Sequence, residues 1–103
     1  MASVRFMMDP DAVLDFTLDW TDWLVDGDSI VEVSFSAPAP LELTSETFFV
    51  RRLDWAPEKG PRHLTQVWVR NPAPGSTHTV TCHIRALSGR EDDRSFDIFG
   101  REK

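Results

Sequence analysis

The sequence predicts an all-β fold, a small β-sandwich of about seven short strands. Three observations carry that expectation. Apolar and polar residues alternate with period two in several segments, as they do when successive side chains of a strand point to opposite faces. Clusters of Gly, Pro, Asp and Asn break those segments roughly every 8–12 residues. The chain has 103 residues, 41% hydrophobic and 27% charged, which suits one modest core in a single domain over 1–103.

The first alternating segment is Leu14-Asp15-Phe16-Thr17-Leu18-Asp19-Trp20, with apolar residues at every second position. Val13, Phe16, Trp20 and Trp23 also fit helical spacing, and Asp9-Pro10 could open a helix. Both readings stand on periodicity alone. Thr21 to Leu24 reads as a short helical turn or an irregular corner. Asp26-Gly27-Asp28 is a turn, because Gly takes positive φ at little cost and Asp tolerates turns. Ile30 to Phe35 alternates again, with Val31, Val33 and Phe35 on one face, and Ala37-Pro38-Ala39-Pro40 ends it. Leu41-Glu42-Leu43 and Phe48-Phe49-Val50 are two further short strands.

Residues 51–63 form a Pro/Gly-rich excursion around Trp55. Leu64 to Val69 is a strand, and Asn71-Pro72-Ala73-Pro74-Gly75 turns the chain. Thr77 to Ala86 is the longest clean strand, with His78, Val80, Cys82, Ile84 and Ala86 on one face. Ser88-Gly89 joins it to a last strand, Arg94 to Phe99, in a terminal hairpin.

Charge divides unevenly along the chain. The net is −6, but residues 1–50 hold ten acids and the single base Arg5, while residues 51–103 hold seven acids and ten bases. This excludes a uniformly basic nucleic-acid module. Two arrangements account for the split: acidic and basic strands pair within one chain, or opposite patches meet head-to-tail between copies. No apolar run is long enough for a transmembrane helix, and the start lacks the apolar core of a signal peptide. The expectation is a protein made in the cytoplasm. The lone Cys82 excludes an internal disulfide and a multi-cysteine zinc site.

Motifs for chemistry are lacking. His78 and His83 fall on opposite strand faces and cannot share an ion, and His78 reads as a satisfied rim histidine. Cys82 lies on the inward face as a small hydrophobe. There is no nucleophile elbow and no phosphate-binding loop. No catalytic residue, cofactor or metal site is expected, and the chain is not expected to be an enzyme. The aromatics are more informative. Trp20 is expected in the core, Trp68 in the core or at an interface. Trp23 either plugs one end of the sandwich or anchors a partner. Trp55, on the excursion, is the clearer anchor. Arg51, Arg52, Asp22, Asp26 and Asp28 complete the candidate interface.

Several stretches together carry a resemblance. They are Asp9-Pro10 with Val13 to Leu24, then Asp26-Gly27-Asp28-Ser29-Ile30, Val67-Trp68-Val69, Thr77 to Cys82, and Gly89-Arg90-Glu91-Asp92-Asp93-Arg94-Ser95-Phe96. In this order and spacing the chain resembles the fiber-tail adaptor proteins of tailed bacteriophages. It departs at the Asn71 to Gly75 turn, at His78 where the family usually has Tyr, and in a longer stretch from about Phe49 to Leu64. The resemblance implies an immunoglobulin-like antiparallel β-sandwich and favours the strand over the helix at 13–20. It implies a structural protein of the virion tail or neck that attaches tail fibers or spikes. Its partners would be the tail tube or head-tail adaptor, the fiber or spike, and copies of itself around the tail axis, with no nucleic acid and no membrane. The competing expectation is an immunoglobulin-like carbohydrate- or protein-binding module using Trp55 and Trp23.

Overall fold

A computed structural model describes residues 4–102. Seven strands follow one another: β1 (Val4–Met8), β2 (Val13–Asp19), β3 (Ile30–Ser36), β4 (Glu42–Arg51), β5 (Arg62–Arg70), β6 (Thr77–Ala86) and β7 (Glu91–Gly100). A single 3-10 turn, Pro57–Lys59, lies between β4 and β5. The strands form two sheets, ordered β1-β7-β6-β3 and β2-β5-β4. The all-β expectation holds, and so does the strand reading at 13–20.

Alternation explains which side chains face inward. On β6, His78, Val80, Cys82, Ile84 and Ala86 are all buried, as the spacing requires. Their inward partners include Phe96 and Ile98 of β7 and Val67 and Val69 of β5. Trp20, just past β2, is fully buried and closes the core at one end, while Met8 closes it at the other. Each large apolar side chain buried in this way contributes about 1.5–3 kcal/mol. Phe6, Phe16 and Phe96 form a second aromatic contact between the sheets, with ring centroids 5.0–5.9 Å apart.

The structure corrects the sequence reading in four places. First, β1 is a strand that the sequence did not announce, and it pairs in parallel with β7, Val4 opposite Phe96. The sandwich is therefore not wholly antiparallel. Second, Leu41-Glu42-Leu43 and Phe48-Phe49-Val50 are not two strands. They belong to the region of one strand, β4, whose register shifts between Thr44 and Thr47 around Ser45 at φ 55°. Third, a register shift between Ile30 and Glu32 puts Ile30 in the core and leaves Val31 half-buried. Fourth, of the two places open to Trp68, core or interface, the structure excludes the core; it is 39% exposed on the outer face of β5.

The outer face of the four-stranded sheet is a polar ladder. Thr79 donates to Asp97 at 2.8 Å, and Thr81 and Ser95 share a hydrogen bond at 3.0 Å. His83 is held between Glu91 and Asp93, and Arg85 reaches Glu32. Cross-strand pairs of this kind lock register.

Candidate functional site

The topology brings three connections to one end of the sandwich: the β2–β3 corner (20–29), the β4–β5 segment (52–61) and the β6–β7 turn (87–90). All seven residues singled out in the sequence lie here. Asp22, Trp23, Asp26 and Asp28 are on the corner, Arg51 ends β4, and Arg52 and Trp55 follow it.

The corner is tied to both sheets. The backbone N–H of Trp20 donates to the His63 carbonyl at 2.9 Å, and the His63 N–H donates to the Thr21 hydroxyl at 2.8 Å. Trp23 and Leu24 both donate their N–H groups to the Trp20 carbonyl, which makes the tight turn. On the other side, the Asp28 carboxylate accepts from the Ser88 hydroxyl at 2.7 Å and its N–H at 3.0 Å, and Leu87 donates to the Ser29 carbonyl at 2.8 Å. The hydroxyl of Ser88, with the backbone N–H groups of Ser88 and Ser29, holds the Asp28 carboxyl below its ordinary range.

Two arginines outside the candidate interface complete the stitching. Arg90 donates to the Trp23 carbonyl at 3.1 Å and lies 4.3 Å over the Trp23 ring. Arg94 donates to the Asp19 carbonyl at 2.8 Å and lies 4.2 Å over Trp20. Trp23 meets Trp20 edge-to-face at 5.9 Å. Trp23 and Asp28 are thus occupied in shaping this end. Both arginines stand in the Gly89 to Phe96 stretch that carries the resemblance, which was the cue to them.

The remaining residues point outward. Asp22 and Asp26 are exposed on the corner, and Arg51 and Arg52 are exposed where β4 ends. Trp55 is 77% exposed, more than any other large hydrophobic described. Its loop is nevertheless well built. Ala56 is buried and donates to the Leu53 carbonyl at 3.1 Å, Lys59 donates to the Ala56 carbonyl at 3.0 Å, and Gly60 to the Pro57 carbonyl at 3.2 Å. The Lys59 ammonium lies 5.6 Å over the indole. A held aromatic loses little conformational freedom when a partner covers it.

Much of the charge split is resolved inside the chain. Asp19 pairs with Arg62 at 2.7 Å, Glu42 with Arg70 at 2.6 Å, and Glu32 with Arg85, each an acid of the first half with a base of the second. Partial burial pushes the Asp19 carboxyl up, but the Thr21 hydroxyl and N–H and the Arg62 guanidinium outweigh it and hold the group low. Arg51, Arg52 and Lys59 take part in none of these pairs.

Cys82 is buried among apolar side chains, and burial pushes its thiol up to about 11. His78 is 4% exposed, and its Nε2 accepts from the Ala73 N–H at 2.9 Å, the satisfied rim role its spacing suggested. What this end offers chemically is contact: one exposed indole, adjacent guanidinium groups, and a corner held in shape.

No curated protein matches the chain. The family profile described as podophage GP4 fiber-tail adaptor protein gp77 matches residues 8–99, which takes in every strand from β2 to β6 and nearly all of β7. The chain therefore belongs to the podophage fiber-tail adaptor family.

Proposed function

We propose that this chain is a structural piece of the phage particle that joins tail fibers or spikes to the tail or neck, in several copies around the tail axis. It works by binding, with no catalytic step and no nucleic-acid or membrane contact of its own, and it is made in the host cytoplasm before assembly. The observation that carries this reading is the family match across residues 8–99. The strand order supports an immunoglobulin-like single domain: β2-β5-β4 faces β7-β6-β3 in the connectivity of that sandwich, with β1 added beside β7.

The contact residues we assign are Trp55, Arg51 and Arg52 on the β4–β5 side and Asp22 and Asp26 on the corner. Trp23 and Asp28 support them from within. The test is the protein content of purified phage particles. The chain is expected in intact virions, and a phage carrying Trp55→Ala with Arg52→Glu is expected to yield particles depleted of fibers. A chain abundant in lysate and missing from particles overturns the role.

A further inference from the structure

Each of the three connections at the Trp55 end of the sandwich carries one large apolar side chain out into solvent. Trp55 is 77% exposed, Leu87 on the β6–β7 turn 69%, and Val25 on the β2–β3 corner 55%. Val25 and Leu87 line one open hollow of about 210 Å³ together with the polar Asp26, Asp28 and Ser88. Both are held by the backbone: Leu87 donates its N–H to the Ser29 carbonyl at 2.8 Å, and the Asp28 N–H donates to the Val25 carbonyl at 3.0 Å. A single exposed apolar residue is ordinary on a protein surface. One on each of three neighbouring, hydrogen-bonded connections supplies the apolar anchors that a protein interface uses.

The charge where β4 ends and β5 begins is positive and unbalanced. The register places Arg51 directly opposite Arg62, and like charges directly opposite each other destabilise a strand pair. One carboxylate serves the two. Asp19 accepts from Arg62 at 2.7 Å, while Arg51 has only the Phe49 ring, 5.8 Å away. Arg52 follows and is exposed. Asp54 and Glu58 belong to the same β4–β5 segment, yet among the described residues neither forms an ion pair with Arg51, Arg52 or Lys59. A guanidinium in this position presents its planar fork to a carboxylate from outside.

We propose that a different protein of the particle docks on this end, laying apolar side chains on Val25, Trp55 and Leu87 and setting a carboxylate against Arg51 and Arg52. This rests on the adaptor reading above, in which the chain joins unlike proteins, and it adds two contact residues, Val25 and Leu87, and the acidic chemistry of the partner. The carboxylate supplies to Arg51 the counter-charge that Asp19 gives to Arg62. A nucleic-acid backbone is a poor occupant. Asp22 and Asp26 stand exposed on the same end and repel a row of phosphates, and Val25 and Leu87 offer no ring face on which a base could stack.

Zero-length coupling in purified particles tests the contact. Phage carrying Arg51→Lys with Arg52→Lys keep the charge and gain two amines. A carbodiimide joins such an amine, as an amide, only to a carboxylate that touches it, and mass spectrometry reads which chain supplied that carboxylate. The introduced amines are expected to couple to an Asp or Glu of another virion protein. Adding Val25→Ser with Leu87→Ser is expected to lower the coupled product by roughly ten-fold. A thermal melt of the purified variant chain is expected to be nearly unchanged, because both side chains are exposed. Coupling only to a second copy of this chain, no coupling to any chain in particles that retain their fibers, or full coupling after the two serine substitutions overturns the proposal. Particles that lack this chain altogether overturn the adaptor reading with it. Particles that contain the chain without the acidic contact leave the adaptor reading in place and remove only this assignment.

Discussion

The indole N–H of Trp20 donates to the hydroxyl of Thr65 at 3.0 Å inside the core, and both residues are fully buried. The same hydroxyl lies 3.6 Å from the Cys82 sulfur on the facing sheet. One polar atom thus links the end of β2, the middle of β5 and the middle of β6. Thr65→Val keeps the shape and removes the acceptor, leaving the indole N–H dry. It is expected to cost about 1–3 kcal/mol, read as a fall of several degrees in Tm. Thr65→Ser is expected to recover most of the loss.

Cys82 is expected to be inert while the protein is folded. Its thiol is buried and pushed up to about 11, so little thiolate forms at neutral pH. A thiol reagent should label it only in denaturant. Fast labelling of the native protein would show that β6 opens locally.

The two outlying tryptophans are expected to separate stability from binding. Trp23→Ala removes the ring that packs on Trp20 and under Arg90, and it should lower stability by about 2 kcal/mol or more. Trp55→Ala touches an exposed ring and should change stability by no more than about 0.5 kcal/mol. Paired denaturant titrations make the comparison, and a large loss in Trp55→Ala would mean that the ring supports its own loop.

His83 gives the outer ladder a pH dependence of known sign. Hydrogen bonds to Glu91 and then Asp93 raise the imidazole above its ordinary 6.5. A raised group stabilises the fold fully below the unfolded value and ceases to do so as pH rises through the folded one. Thermal melts across pH 5.5 to about 9 should show that loss in the wild type, and His83→Gln should flatten it. The carboxylates behave oppositely. Asp19, Asp28 and Glu32 are held low, so their contribution is present above their ordinary values and disappears as pH falls through the folded ones.

Gly100 ends β7 where there is no room for a side chain. A Cβ there would run into the Ala73 carbonyl and press on Pro72. Gly100→Ala is therefore expected to cost about 1–3 kcal/mol, the scale of overpacking, measured by denaturant unfolding. An unchanged midpoint would mean that the 72–76 turn yields freely.

How much of this was legible depends on whether a feature is local. The inward face of β6 could be read residue by residue, because alternation in Thr77 to Ala86 is a property of that segment alone. The same holds for the Gly27 and Gly89 turns, both at positive φ. Val4–Met8 has only Arg5 among apolar residues, so no alternation marks it, and it becomes a strand by lying along β7. The polar run Thr44-Ser45-Glu46-Thr47 looked like a break between strands, but the register shift carries β4 through it, and Glu46 turns back to accept the Phe35 N–H at 2.8 Å. At the candidate site, residue types pointed to the right end of the molecule. They could not tell Asp28, which is spent on Ser88, from Asp22 and Asp26, because that difference depends on a turn sixty positions away in sequence.

The parallel pairing of β1 with β7 has a consequence for how the chain reaches its final form. Val4 and Phe96 are separated by almost the whole described length, and the contact between them closes one of the largest loops the chain can make. During synthesis β1 emerges long before its partner exists, so its unpaired backbone and Met8, which is buried in the finished fold, must wait in solvent or with a chaperone. The four-stranded sheet is completed only when the last strand is released. Completion of this sheet therefore waits on β7, and a chain stopped before residue 96 would carry an unpaired β1 instead of a finished sheet.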